Sequence, residues 1–145
     1  YTMMGDVVNI AARLESAAKQ YGIFFHTTEE TLFSALEQDY SWRYIDRVQF
    51  VGKTVWHQTV EILGFKKDED ERIKKLTSLF NKALKEYYNQ NWDKAIILFE
   101  KSNKYETNNK EEDINPSKIF IDRSYEFKRY PPRSGWRGAF ILVNK

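Results

Sequence analysis

The sequence predicts an α+β fold over residues 1–64, followed by a small, mainly helical unit over residues 65–145. Three features predict it. Apolar residues recur at helical spacing across residues 6–20. Two β-prone runs, 42–51 and 55–63, flank the Gly52 and Lys53 pair. A charged stretch at 66–75 then separates these from a second set of helical stripes.

Each element follows from its own residues. The run at 1–5 reads as the end of a buried strand, whose neighbours are expected upstream of Tyr1. Val7, Ile10, Ala11, Leu14, Ala17 and Ala18 then form a helical stripe, with Asp6 as the expected N-cap and Gly22 as the stop. Residues 23–27 are β-prone, and Thr28, Glu29 and Glu30 open a second helix carrying Leu32, Phe33 and Leu36. Beyond the charged stretch, Leu76, Leu79, Phe80, Ala83, Leu84, Tyr87 and Tyr88 make one stripe. Trp92, Ala95, Ile96, Phe99 and Tyr105 make another, across a turn at 89–91. Residues 107–115 read as a polar loop. Pro116 suits the first turn of a third helix bearing Ile119, Phe120, Ile121, Tyr125 and Phe127, and Pro131 and Pro132 stop it. The turn at 135–138 leads into a terminal apolar run at 139–143.

Charge and composition exclude several function classes. With 23 basic and 21 acidic side chains, a net charge of +2 gives no field suited to nucleic acid or a membrane surface. Cysteine is absent, which removes disulfides and thiolate chemistry and fits a reducing compartment. No apolar run approaches the ~20 residues of a spanning helix. The chain is therefore expected in the cytoplasm; an upstream membrane tether stays open.

The stretch that carries chemistry is GDVVNIAARLE, residues 5–15. A strand ending at Gly5 and a helix starting at Asp6 would aim free backbone N–H groups and the helix dipole at an anion. Asn9 and Arg13, four apart, share a helix face. Arg13 brings a planar fork suited to phosphate oxygens, and Asn9 can donate and accept. The bland alternative is a solvated helix face.

YTMMGDVVNIAARLESAAKQYG closely resembles the C-terminal half of class III adenylate and guanylate cyclases, and YIDRVQFVGKTVWHQTVEIL resembles the family's final hairpin with its Gly-Lys turn. The resemblance covers residues 1–64 and implies the C-terminal half of a ferredoxin-like cyclase catalytic domain. Residues 65–145 resemble more loosely the helical tail of some bacterial cyclases. Ala83, Ala95 and Phe99 are similar to one tetratricopeptide repeat, although Glu86 and Thr107 stand at its Tyr and Pro positions.

The resemblance implies roles. Asn9 falls on the ribose and transition-state Asn, and Arg13 on the Arg that stabilises the α-phosphoryl group. Thr2 falls on a purine-reading position that favours adenine, and Lys53 on a contact to the β- and γ-phosphates. Val51 stands where the family often has a further basic residue, which weakens the assignment of Lys53. The implied reaction is ATP to 3′,5′-cyclic AMP and pyrophosphate, at the interface of a homodimer, with Mg²⁺ or Mn²⁺ held by carboxylates that this chain lacks. No metal ligands are expected here, and no cyclase activity from this chain alone. A guanylate cyclase half, or a non-catalytic remnant whose helical tail binds a protein partner, are the alternatives. His26 and His57 read as structural, Asp6 as a cap, and Glu29 and Glu30 as a solvated helix start.

Overall fold

The computed structural model describes residues 2–34 and 37–143, and for residues 2–7 the backbone alone. Its fold is α+β. In chain order the elements are α1 (Thr2–Tyr21), β1 (His26–Thr28), α2 (Glu29–Ser34), β2 (Tyr40–Phe50), β3 (Trp56–Phe65), α3 (Glu71–Tyr88), α4 (Trp92–Asn103), α5 (Pro116–Arg129) and β4 (Ala139–Leu142). The sheet order is β1-β3-β2-β4. The first three strands are antiparallel, and β4 runs parallel to β2, pairing Arg47 with Ala139 and Phe50 with Leu142.

Most expected elements form where their residues ask for them, with one correction. Residues 2–5 are helical, not the end of a strand, so Asp6 lies inside α1 and is not its N-cap. A strand needs neighbours for its backbone N–H and C=O groups, whereas a helix satisfies its own. None of the four described strands pairs with residues 2–5. Tyr1 and Leu36 lie outside the described residues. The caps of the later helices are as polar residues dictate. Asp70 accepts a hydrogen bond from the Ile73 N–H at 2.9 Å, and Asn115 accepts one from Lys118 N–H at 2.9 Å, just ahead of Pro116.

Two apolar clusters organise the chain. In the first, Leu14, Ala17, Ala18 and Tyr21 of α1 meet Ile45, Val48 and Phe50 of β2 and Leu142 of β4. In the second, Phe80, Ala83, Leu84 and Tyr87 of α3 meet Ala95 and Phe99 of α4 and Phe120 of α5. Ala83 and Ala95 are fully buried, which lets α3 and α4 approach closely. The Phe80 and Phe99 rings meet edge-on at 5.3 Å, and Phe99 stacks on Phe120 at 5.3 Å. These aromatics are core, as their spacing predicts.

The second region packs on the first, through β4 and through two buried polar networks. Arg43 of β2 donates to Glu61 of β3 through Nε at 2.8 Å. It also forms a two-pronged pair with Glu106, both bonds at 2.9 Å. Ser117 donates to the same Glu106 carboxylate from its backbone N–H at 3.2 Å and from its hydroxyl at 2.6 Å. The Arg43 guanidinium also covers the Phe80 ring, 4.7 Å from its centroid. In the second network Arg123 of α5 sits 2.9 Å from the fully buried Asp46, which also accepts from the Tyr21 hydroxyl.

Asp46 marks a β-bulge. Pairing with β3 shifts register between Tyr44 and Arg47, so Ile45 and Asp46 are both buried. The extra residue places Tyr44 and Arg47 on the same face of the sheet, where simple alternation would have opposed them.

His26 tests the packing of α1 on the sheet. Its Nδ1 lies 3.1 Å from the Leu14 carbonyl, which only accepts, so Nδ1 carries the proton. Nε2 is buried without a partner among the described residues. Burial pushes the imidazole down to about 4 from 6.5. The folded chain therefore resists a proton that the unfolded chain takes up below pH 6.5. Stability is expected to be full above that value and to fall by on the order of 3 kcal/mol as pH drops toward 4. Urea melts between pH 7.5 and 4.5 check this. The His26→Gln variant should lose that part of the slope.

Candidate functional site

A cleft of about 310 Å³ opens between α1 and the β2–β3 turn, lined by Asn9, Ile10, Arg13, Phe50, Lys53, Thr54, Val55 and His57. It brings together three of the four residues singled out by sequence, Asn9, Arg13 and Lys53. They come from two elements that are far apart in the chain. Asn9 and Arg13 share the helix face that their spacing of four requires. Lys53 reaches the cleft because Gly52 adopts φ +83 and closes the turn, with Lys53 N–H donating to the Phe50 carbonyl at 3.0 Å. The Gln49 amide donates to the Lys53 carbonyl at 2.8 Å and steadies the turn.

The electrostatics favour an anion. Among the described residues the lining carries two cations, Arg13 and Lys53, and no carboxylate. The Arg13 guanidinium lies over the Phe50 ring at 5.2 Å, so an apolar face supports the fork while its edges stay available to the cleft. Lys53 is exposed at the mouth and Arg13 is half-buried deeper in.

Two expectations change. Because α1 continues back to Thr2, the backbone N–H groups of residues 6–8 lie within the helix, away from its free N-terminal turn. Anion binding here rests on side chains, not on a helix N-terminus beside Gly5. Thr2 is helical in its backbone, and its side chain lies outside the described residues.

His57 belongs to the cleft and was not foreseen there. Its signal was the β3 alternation: His57 pairs with Val48, placing it on the face that α1 covers. Phe50, Thr54 and Val55 join for the same reason, as the last residue of β2 and the far side of the turn. Among the described residues no group of three or more His, Cys, Asp or Glu gathers in a way that could hold a metal ion. The described residues therefore do not fit the Mg²⁺ or Mn²⁺ of the implied reaction. No described helix is long and apolar enough to cross a membrane. No family model, curated protein or solved structure matches this chain.

Proposed function

We propose that this chain supplies the nucleotide-holding and charge-stabilising half of an adenylate cyclase site, of the class III type that its sequence resembles. The observation that carries the proposal is the convergence of Asn9, Arg13 and Lys53 on one cleft. A nucleoside triphosphate matches that set. Lys53 at the mouth suits the distal phosphates, Arg13 suits the α-phosphoryl group, and Asn9 suits the ribose.

Cyclisation joins the 3′-oxygen to the α-phosphorus as pyrophosphate leaves, and such a transfer is governed by positioning and electrostatics. Arg13 would act chiefly in the transition state, when charge shifts onto the phosphoryl oxygens and the leaving group. In the complete enzyme, the metal-binding half of the site, with its divalent ions, would come from the part of the second protomer that lies outside residues 1–145.

In the complete dimeric enzyme, Arg13→Ala is expected to lower kcat by roughly 100-fold or more with KM little changed. Steady-state assays of cyclic AMP formation from ATP check it. An unchanged kcat removes Arg13 from the mechanism. Parallel assays with GTP decide between the adenylate and guanylate forms.

A further inference from the structure

The cleft between α1 and the β2–β3 turn holds a titratable side chain that the cyclase reading does not use. His57 is half-buried on its lining. The register of the hairpin says where. His57 stands directly opposite Val48, so Phe50 is its diagonal neighbour, about 7–8 Å away by the geometry of antiparallel strands. Phe50 is also the residue whose ring carries the Arg13 guanidinium, 5.2 Å from its centroid. The imidazole and the guanidinium thus approach the cleft from neighbouring positions, and Lys53 joins them from the turn between the two strands.

Charged groups flank His57 on two sides. Arg13 of α1 and Lys53 of the turn share this cleft with it. Glu29 and Glu30, at the start of α2, share a smaller cleft of about 180 Å³ that His57 also borders, where β1 stops at Thr28 and leaves the edge of β3 open. Val48, its partner on β2, carries no charge. Without an anion, the two cations oppose protonation of the imidazole and the two carboxylates favour it. A polyphosphate in the cleft shifts that balance toward the imidazolium, because it brings several negative charges to the place where a third cation would stand. Histidine is the side chain whose charge ordinarily changes between pH 5 and 8, so the shift falls where it alters binding.

We propose that His57 is a third, proton-switched ligand of a polyphosphate held in this cleft, so that binding the anion takes up a proton at the imidazole. This role rests on the reading of the cleft as a phosphate site and gives that site a pH dependence: affinity rises as pH falls.

The chain has two histidines, so imidazole proton resonances can report each one. NMR titrations of the full chain between about pH 5 and 8, in chelator, with and without inorganic tripolyphosphate, test it. Tripolyphosphate should raise the titration midpoint of His57 and leave that of His26, which lies outside the cleft, where it was. By linkage, a rise of about half a pH unit corresponds to about threefold tighter binding to the protonated form. Calorimetry should accordingly show the parent gaining about threefold or more in affinity over His57→Gln as pH falls through this range. That comparison subtracts the proton of the phosphate itself, which titrates at about pH 6. The resonance titration needs no variant, so it holds even if His57→Gln does not fold. Tripolyphosphate that binds through Arg13 and Lys53 while His57 titrates unchanged overturns the proposal and leaves the phosphate reading standing. A rise that persists when Arg13→Ala and Lys53→Ala are combined also overturns it, since the anion would then sit elsewhere. No binding at all overturns both.

Discussion

Arg43→Ala is expected to lower the free energy of unfolding by about 3–5 kcal/mol, or to leave no folded chain at all. Arg43 is 2% exposed and holds two carboxylates, Glu61 and Glu106. Without it, both would remain buried near each other, with only the weaker influence of Arg72 on Glu61 to offset their charge. Burial already pushes the Glu61 carboxyl up, with a smaller push from Glu106, and the Arg43 guanidinium is the main group that opposes this. Against a typical domain stability of about 5–15 kcal/mol, such a loss is a large fraction. Urea unfolding followed by circular dichroism measures it. Glu106→Gln should also destabilise. The carboxylate accepts from Arg43 and twice from Ser117, and an amide would turn a donor toward donors. The two substitutions should be strongly non-additive, because each removes part of one network. Simple additivity would mean that the pair is not coupled.

Arg123→Met should cost a similar 3–5 kcal/mol, with a distinct pH signature. Arg123 is the counter-charge of Asp46, which has no exposed surface. It also lies 3.5 Å from the Phe140 ring centroid of β4 and 4.8 Å from that of Phe120, so it joins α5 to the sheet through apolar contact as well. Burial pushes the Asp46 carboxyl up, while Arg123 and the Tyr21 hydroxyl pull it down. Removing Arg123 leaves burial less opposed and raises it further. A carboxyl raised in the folded state binds its proton more tightly there than when unfolded. Its contribution is full below the unfolded value near 4 and is lost as pH rises through the folded value. The variant should therefore be least destabilised in acid and lose stability progressively toward neutrality, more steeply than the parent chain. Adding Asp46→Asn should flatten that slope. A parallel pH dependence in parent and variant would show that Asp46 is not controlled by Arg123.

The local pattern told the helices and strands well, because each carries its own period and punctuation. Ala83, Tyr87, Ala95 and Phe99 are buried as their spacing demands, and Pro116 sits at the first turn of α5. Asn9 and Arg13 could be paired from spacing alone, since helical geometry guarantees it. What could not be read were arrangements that depend on distant partners. Residues 1–5 have strand-forming character, yet strand or helix is decided by whether a neighbour is there to bond. The apolar run at 139–143 was visible, but not that it would lie parallel to β2. His57 looked like any histidine on a strand until register placed it beside Val48. The bulge at Asp46, and with it the shared face of Tyr44 and Arg47, leaves no period to find. The ion pairs of Arg43 and Arg123 cross between the two regions, and charge alone does not choose partners over that distance.

The parallel pairing of β4 with β2 has a consequence for how the chain is made. Arg47 bonds to the carbonyl of Arg137 across 90 positions of sequence. During synthesis β2 and β3 can form their hairpin early, since only a short turn separates them. The other edge of β2, from Arg47 to Phe50, must wait until α3, α4 and α5 have been made. Through that interval its backbone N–H and C=O groups stand open beside Val48 and Phe50, which are core residues in the finished fold. Closing so long a loop is slow, and an unpaired apolar edge invites pairing with other chains. The last strand thus acts as a seal, and the period before it docks is when a newly made chain is most exposed to aggregation.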